Sequence, residues 1–351
     1  MQGGVVLGPT VLGYAPNAVA QLFPETGKLI METLATFGIA LFLFSMGVKM
    51  DVTLMFRPER TALSIGILMY IFTMVIPLVI CFALLAHTTM EEGLKRSLPL
   101  MVSSQSFVAF PAIACLLAEL KIMNTEVGRL AVATSMFYTL LAMSTCALGL
   151  TFLQSKERGA VTAVSAAAST LGMVFVIVFV VRPLLIRYLQ WDKAYMMDSN
   201  MRSGPLGVDD HVSGDQITCV FLLILISVFV SESIGQHYFL GPMILGLSIP
   251  DGSPIGGAVV SRIDAFVSML LYPTFLTISG LKTNLFTINP RESWITVIIV
   301  AVGAVGKMVV IILPALRQNV PIHDAFVLSL VLNARGINEL ILYNLVYDAK
   351  V

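Results

Sequence analysis

The feature that most constrains this chain is a set of apolar runs too long for elements of a water-soluble core. Leu29 to Val48, Ala62 to Ala86, Val161 to Val181 and Trp294 to Leu316 each reach the roughly 18 residues that an α-helix needs to cross the hydrocarbon of a bilayer. Backbone N–H and C=O groups find no water there, so spanning segments must be helices or closed barrels, and runs of this length fit helices. The composition agrees. Of 351 residues, 57% are hydrophobic and 12% charged, against about 25% charged in soluble domains, and mean hydropathy is +0.89. The expected fold class is all-α, a polytopic membrane protein. The 21 basic and 21 acidic residues cancel, leaving no global field that would attract nucleic acid.

Polar and Pro/Gly punctuation divides the chain into eleven expected membrane segments, at about 3–20, 29–50, 61–87, 97–119, 126–153, 160–188, 216–234, 238–250, 259–281, 293–316 and 324–347. Lys and Arg are more frequent in the loops after even-numbered segments, which the positive-inside rule assigns to the cytoplasm. The sequence also repeats. Gly8-Pro9-Thr10-Val11-Leu12-Gly13 returns as Gly241-Pro242-Met243-Ile244-Leu245-Gly246, and Gly47-Val48-Lys49-Met50-Asp51 returns as Gly280-Leu281-Lys282-Thr283-Asn284, both at an offset of 233 residues. Seven spans separate equivalent segments, and an odd number reverses orientation, so the repeat is inverted. The expected organisation is a first repeat with a linker helix over 1–189, a polar linker over 190–215, and a second repeat over 216–351. Inverted repeats are characteristic of secondary transporters that bind substrate near the bilayer midplane.

Ionisable or polar residues inside the spans are the candidates for chemistry, because a charge at mid-bilayer costs about 2.5–3.5 kcal/mol on insertion scales. Lys307 sits deep in segment ten, suited either to a structural pairing with a carboxylate or to ion coupling. Asn333-Ala334-Arg335-Gly336-Ile337-Asn338-Glu339 interrupts segment eleven and predicts a broken helix, making Asn333, Arg335 and Glu339 site candidates. The corresponding stretch of the first repeat, Ser103-Ser104-Gln105-Ser106 before Phe110-Pro111, predicts a second break and adds Ser103, Ser104 and Ser106. Corresponding breaks expose backbone dipoles that can bind a cation, and Ser and Asn can also act simply as interhelical glue. Glu32 and Glu232 lie near span ends, where a solvated carboxylate is ordinary. Glu119 and Lys121 mark an interface end. The four cysteines lie in apolar stretches and fit packing roles. His87, His211, His237 and His323 are scattered, so no metal site is expected beyond a transported alkali cation, and no cofactor.

Taken together, these motifs resemble the plant cation/H⁺ exchangers of the second monovalent cation:proton antiporter group. The resemblance rests on Gly3-Gly4-Val5-Val6-Leu7-Gly8-Pro9, on Met31-Glu32-Thr33-Leu34-Ala35, on Leu117-Ala118-Glu119-Leu120-Lys121, and on the Lys49 and Lys282 motifs. Ser233-Ile234-Gly235-Gln236-His237, Gly306-Lys307 and the Asn333 to Leu340 stretch complete it. It implies an inverted-repeat antiporter fold with two crossed broken helices, beside a domain that mediates dimer contacts. It also implies a further span before Gly3, another after Val351 and a cytosolic region beyond. By this resemblance Lys307, Arg335, Glu32 and Glu232 fall on functional positions of the family. Where the family carries an Asn-Asp pair on segment five, this chain has Tyr138-Thr139, which replaces a proton-exchanging carboxylate with hydroxyls.

The expected function is secondary active exchange of K⁺ or Na⁺ for H⁺ in an endomembrane or the plasma membrane of a plant cell, through an elevator-like or rocking motion. The expected partners are a monovalent cation and a proton, membrane lipid, and a second copy or a related exchanger in a dimer. The alternative is a transport-inactive regulatory or dimerisation paralogue, favoured by the Tyr138-Thr139 replacement. No zinc-protease motif, nucleophile elbow or intramembrane aspartate pair points to an enzyme.

Overall fold

The computed structural model of the chain describes residues 2–8, 10, 22–50, 60–87, 110–158, 160–185, 187, 214–234, 236, 238, 240–249, 254–283, 290–336, 339–341 and 344. Among the described residues the regular elements are all helical. They are α1 (Gln2–Leu7), α2 (Glu25–Lys49), α3 (Arg60–His87), α4 (Phe110–Glu119), α5 (Glu126–Arg158), α6 (Ala160–Val176), α7 (Gly214–Ser233), α8 (Leu240–Ser248), α9 (Pro254–Phe266), α10 (Tyr272–Leu281), α11 (Pro290–Arg317) and α12 (Ile322–Leu332). Six stretches of them are long and apolar enough to cross a membrane, including Thr26–Lys49, Arg60–Ala83 and Val300–Arg317. The chain is a multi-pass integral membrane protein. Apolar side chains such as Leu171, Phe175, Phe179 and Val305 lie exposed on these stretches, as a lipid solvent requires.

Two π-helical turns interrupt the α pattern, at Ile177–Val181 after α6 and at Val267–Leu271 between α9 and α10. Each is followed two residues later by a proline, Pro183 and Pro273. A proline has no N–H to donate and crowds the carbonyl one turn earlier, and a one-residue slip into π geometry absorbs that mismatch. Sequence thus fixes both irregularities locally.

The helices gather into two compact units, each drawn from both halves of the chain. Unit 1 contains Met1–Val52 and Cys146–Asn284, and unit 2 contains Thr53–Thr145 and Leu285–Val351. In unit 1, α2 packs most extensively on α8, and α10 packs on both α1 and α2. Close approach of α2 and α8 depends on glycine: a Cβ on Gly246 would lie 2.3 Å from the Phe44 carbonyl oxygen, and one on Gly47 would lie 2.5 Å from that of Met243. Phe44, Leu41, Leu43 and Met46 bury their side chains there.

Two ion pairs in unit 1 express the inversion directly. Lys49, at the end of α2, pairs with Asp264 of α9, which also accepts a hydrogen bond from Ser45. Lys282, just past α10, pairs with Glu32 in the early part of α2 at 3.3 Å. Lys49 and Lys282 are equivalent at the repeat offset. Each therefore reaches an acid in the first half of the opposite segment, Glu32 in α2 and Asp264 ahead of the π turn of α9–α10, which requires the two segments to run antiparallel.

Unit 2 is built on α3 packed along α11, with α12 against α11 and α4 against α12. Ile65, Met69, Ile113, Leu117, Leu328 and Leu332 are fully or almost fully buried. Schellman-type ends close two of these helices. After α4, Lys121 adopts φ 59°, with Ile122 N–H donating to Leu117 and Lys121 N–H to Ala118. After α11, Asn319 adopts φ 63°, with Val320 donating to Ala315 and Asn319 to Leu316. These are the two bonds by which a left-handed residue caps orphan carbonyls. Lys121 and Glu119 are exposed there, in structural positions.

Candidate functional site

The expected break in segment eleven is present. α12 ends at Leu332, Asn333 caps it with its N–H shared between the Ser329 and Leu330 carbonyls, residues 334–336 are non-helical, and residues 339–341 are helical. The sequence explains the stop: Asn333 and Gly336 both disfavour a helix interior. The C-terminal end of α12 carries the partial negative charge of its last carbonyls, and Arg335 follows it directly.

Arg335 spans the break to Glu339, with Nη1 3.7 Å from Oε2. Glu339 is only 6% exposed, as is Lys307 on α11. Lys307 interacts electrostatically with both Glu339 and Arg335. Among the described residues no hydrogen-bond acceptor or counter-ion lies in direct contact with its ammonium. Instead it faces a cavity lined by Phe72, Thr73, Ile76, Val302, Gly303, Gly306, Lys307 and Arg335. The centre of a water-sized sphere can occupy about 20 Å³ of it, enough for one small occupant. Gly303 and Gly306 leave the α11 side open, since a Cβ on either would meet nothing within 4 Å.

A hydroxyl network backs this cavity. Thr73 Oγ1 donates to the Met69 carbonyl at 2.8 Å and lies 2.7 Å from the Tyr138 hydroxyl. Tyr138 is fully buried, stands edge-on to Tyr70 with centroids 5.7 Å apart, and is within electrostatic reach of Glu339. Tyr70 in turn bonds Thr145. Thr139, also buried, donates to its own helix at Ser135 O, 2.7 Å away. Five residues earlier, Thr134 Oγ1 is buried with no hydrogen-bond partner among the described residues.

The structure therefore brings Lys307, Arg335, Glu339, Tyr138 and Thr139 into one unit with Asn333 at the break. Glu32 and Glu232 belong to unit 1. Glu32 is exposed and paired with Lys282, and Glu232 is exposed at the end of α7. Ser103, Ser104 and Ser106 lie outside the described residues. Of the cysteines, Cys81 is buried as a packing residue would be, whereas Cys115 is exposed with Sγ 3.8 Å from Glu119 Oε1. That corrects the packing role expected for Cys115, because its position on α4 faces outward. Sequence reasoning passed over Thr73, a single hydroxyl in the run Ile71-Phe72-Thr73-Met74, and Thr134. A polar residue in the middle of a span was the available signal.

The family model described as "Sodium/hydrogen exchanger, transmembrane" matches residues 2–351. The chain is 32% identical to cation/H⁺ antiporter 15 of Arabidopsis thaliana over 353 residues, 99% of this chain and 41% of that protein. It is 30% identical to cation/H⁺ antiporter 18 of the same plant over 355 residues, 99% of this chain and 41% of that protein. It is 32% identical to cation/H⁺ symporter 13, also from Arabidopsis thaliana, over 295 residues, 82% of this chain and 32% of that protein. The chain spans about two-fifths of the length of the curated antiporters it matches, 41% in the first two cases. Its fold is similar to that of the sodium proton antiporter MjNhaP1 from Methanocaldococcus jannaschii, with a TM-score of 0.64 at 16% identity, covering 97% of this chain and 77% of that one. An all-helical membrane architecture with the same inverted-repeat fold and a family match over essentially the whole sequence lead to one conclusion: the chain belongs to the sodium/hydrogen exchanger transmembrane family.

Proposed function

We propose that this chain forms the ion-translocating part of a secondary transporter that exchanges a monovalent cation, K⁺ or Na⁺, for H⁺. The observation that carries the reading is a buried lysine, Lys307, facing a water-sized cavity beside a helix broken at mid-segment. A structural lysine in such surroundings would be costly without a directly bonded counter-ion, whereas an exchangeable proton gives it a role. Thr73, Thr139 and Asn333 supply oxygens near the site, and Lys307 releases its proton when a cation arrives. Full-length protein reconstituted in proteoliposomes should show cation flux driven by a pH gradient, and Lys307→Ala should abolish it. Flux that survives Lys307→Ala unchanged removes this residue from the mechanism. Since one of the relatives is named a symporter, reversing the gradient also tests the sense of coupling.

A second reading has its own observation. At Tyr138-Thr139, α5 presents buried hydroxyls and no carboxylate, which suits a transport-inactive partner of a related exchanger. No flux from this chain alone, together with co-purification of an active relative, would favour it. Exchange gained by Thr139→Asp would separate lost coupling from a lost fold.

A further inference from the structure

Two tyrosine–threonine contacts tie α3 to α5 in opposite directions, and one of them ends at the cavity of unit 2. Thr73 on α3 donates its hydroxyl hydrogen to the Met69 carbonyl at 2.8 Å, and Thr145 on α5 donates likewise to the Leu141 carbonyl at 2.6 Å. A hydroxyl carries one hydrogen, so in each contact the tyrosine is the donor. Tyr138 of α5 donates to Thr73 Oγ1 at 2.7 Å, and Tyr70 of α3 donates to Thr145 Oγ1. The opposite sense at Thr73 would leave the hydrogen of the fully buried Tyr138 without an acceptor among the described residues, which is costly. The two rings stand edge-on, with centroids 5.7 Å apart. Thr73 lines the cavity beside Lys307, and Thr145 does not. Among the described lining residues, Thr73 is the one whose side chain carries an oxygen.

We infer that Tyr138 is a positioning residue for the substrate cation: by donating to Thr73 it fixes a cavity oxygen that can only accept, and so sets which monovalent cation the site prefers. The inference rests on the exchange reading above and adds a determinant of its substrate choice. With its hydrogen held by Met69, Thr73 Oγ1 meets every other group, an occupant of the cavity included, through its lone pairs. Such an oxygen suits a cation, or a water carried with it, and disfavours an anion. Its freedom of movement decides how well it discriminates. A mobile oxygen follows ions of different radius with nearly equal ease, whereas one braced from behind keeps a single spacing and penalises an ion that does not match it. Tyr138 supplies that brace from α5, where its ring is packed against Tyr70.

The test measures K⁺ and Na⁺ affinity in the full-length protein, by thermal stabilisation in detergent against choline chloride and by KM for flux driven by a pH gradient in proteoliposomes. Wild type should bind the two cations with different affinities. Tyr138→Phe keeps the ring and drops the hydroxyl. It should weaken binding of the preferred cation by about 2- to 10-fold, the equivalent of one neutral hydrogen bond. Its KM should rise by the same factor with a smaller change in kcat, and the K⁺ to Na⁺ affinity ratio should move toward one. Thr73→Val removes the oxygen itself and should weaken binding about tenfold or more, whereas Thr73→Ser should remain close to wild type. In the Thr73→Val background Tyr138→Phe should add nothing, because it acts through Thr73. Thr145→Val cuts the parallel contact away from the cavity, so it should lower the melting temperature as Tyr138→Phe does and leave the affinity ratio unchanged. A merely structural role for Tyr138 predicts no such contrast. Equal K⁺ and Na⁺ affinities in wild type, an unchanged ratio in Tyr138→Phe, the same change in Thr145→Val, or additive effects of Tyr138→Phe and Thr73→Val overturn the inference and leave the exchange reading standing. Cation binding without flux in wild type overturns the exchange reading and leaves the role of Tyr138 to stand on the affinity ratios. No cation binding by wild type overturns both.

Discussion

Gly306 offers a substitution whose effects on stability and transport should have opposite signs. It lies on α11 one turn from Gly303, both border the cavity, and an added Cβ would meet nothing within 4 Å. Alanine at Gly306 therefore enters without steric cost and removes the entropic penalty of glycine in a helix interior, a gain of about 0.8–1 kcal/mol. Gly306 borders the cavity of about 20 Å³, so a methyl group added there should hinder an occupant. Gly246→Ala is the contrasting change. Its Cβ would sit 2.3 Å from the Phe44 carbonyl oxygen, so α2 and α8 must separate by roughly 1 Å, and overpacking of that kind costs about 1–3 kcal/mol. Melting of the purified variants in detergent should rank Gly306→Ala above wild type and Gly246→Ala below it, with shifts on the order of a few °C. Flux per molecule should fall in Gly306→Ala despite its greater stability. Wild-type flux in both Gly303→Ala and Gly306→Ala would refute the placement of the ion in this cavity. A Gly306→Ala protein that melts below wild type would refute the steric reasoning.

Other substitutions probe the surroundings. Tyr138→Phe removes the 2.7 Å bond to Thr73 and keeps the edge-on contact with Tyr70, so a melting experiment should show a loss of about 0.5–1.5 kcal/mol. The Glu32–Lys282 pair is partly exposed, at 46% and 25%. A double-mutant cycle with Glu32→Gln and Lys282→Met should accordingly give a coupling under about 1 kcal/mol that shrinks in high salt. Asn319→Val forces a β-branched residue into a left-handed position, φ 63°, and should lower stability by about 1–2 kcal/mol, whereas Asn319→Gly should leave it unchanged or slightly raised. Equal melting temperatures for these two variants would remove the cap from the account.

How much of this was legible in the sequence depends on the range of the interaction involved. Segment 61–87 became Arg60–His87 and segment 293–316 became Pro290–Arg317, because continuous apolarity and the polar residues that bound it are local properties. The break after Leu332 was legible for the same reason, as Asn333 and Gly336 interrupt an apolar run. Pairings across the chain were not. Glu32 finds its partner 250 residues away in Lys282, and no spacing rule connects them. Tyr138 was singled out only through a family resemblance, and its bond to Thr73 depends on how α3 and α5 pack. Glu339 stood in a motif that drew attention to Arg335, and its burial, which gives it weight, is a tertiary fact.

Burial also separates the two sets of charges that the sequence left looking alike. Lys49–Asp264 and Lys282–Glu32 are exposed by a quarter to a half. Water can solvate each partner, such pairs contribute about 0–1 kcal/mol, and their value lies in fixing the antiparallel register of α2 with α9–α10. Lys307 and Glu339 are 6% exposed. Replacing buried charges by apolar side chains of similar volume is often neutral or stabilising, so a protein selected for stability alone has no reason to keep them. Retaining a lysine that has no direct counter-ion among the described residues, beside a cavity, makes sense if the charge on that lysine has to change. On the proposed exchange reading, that requirement falls on Lys307.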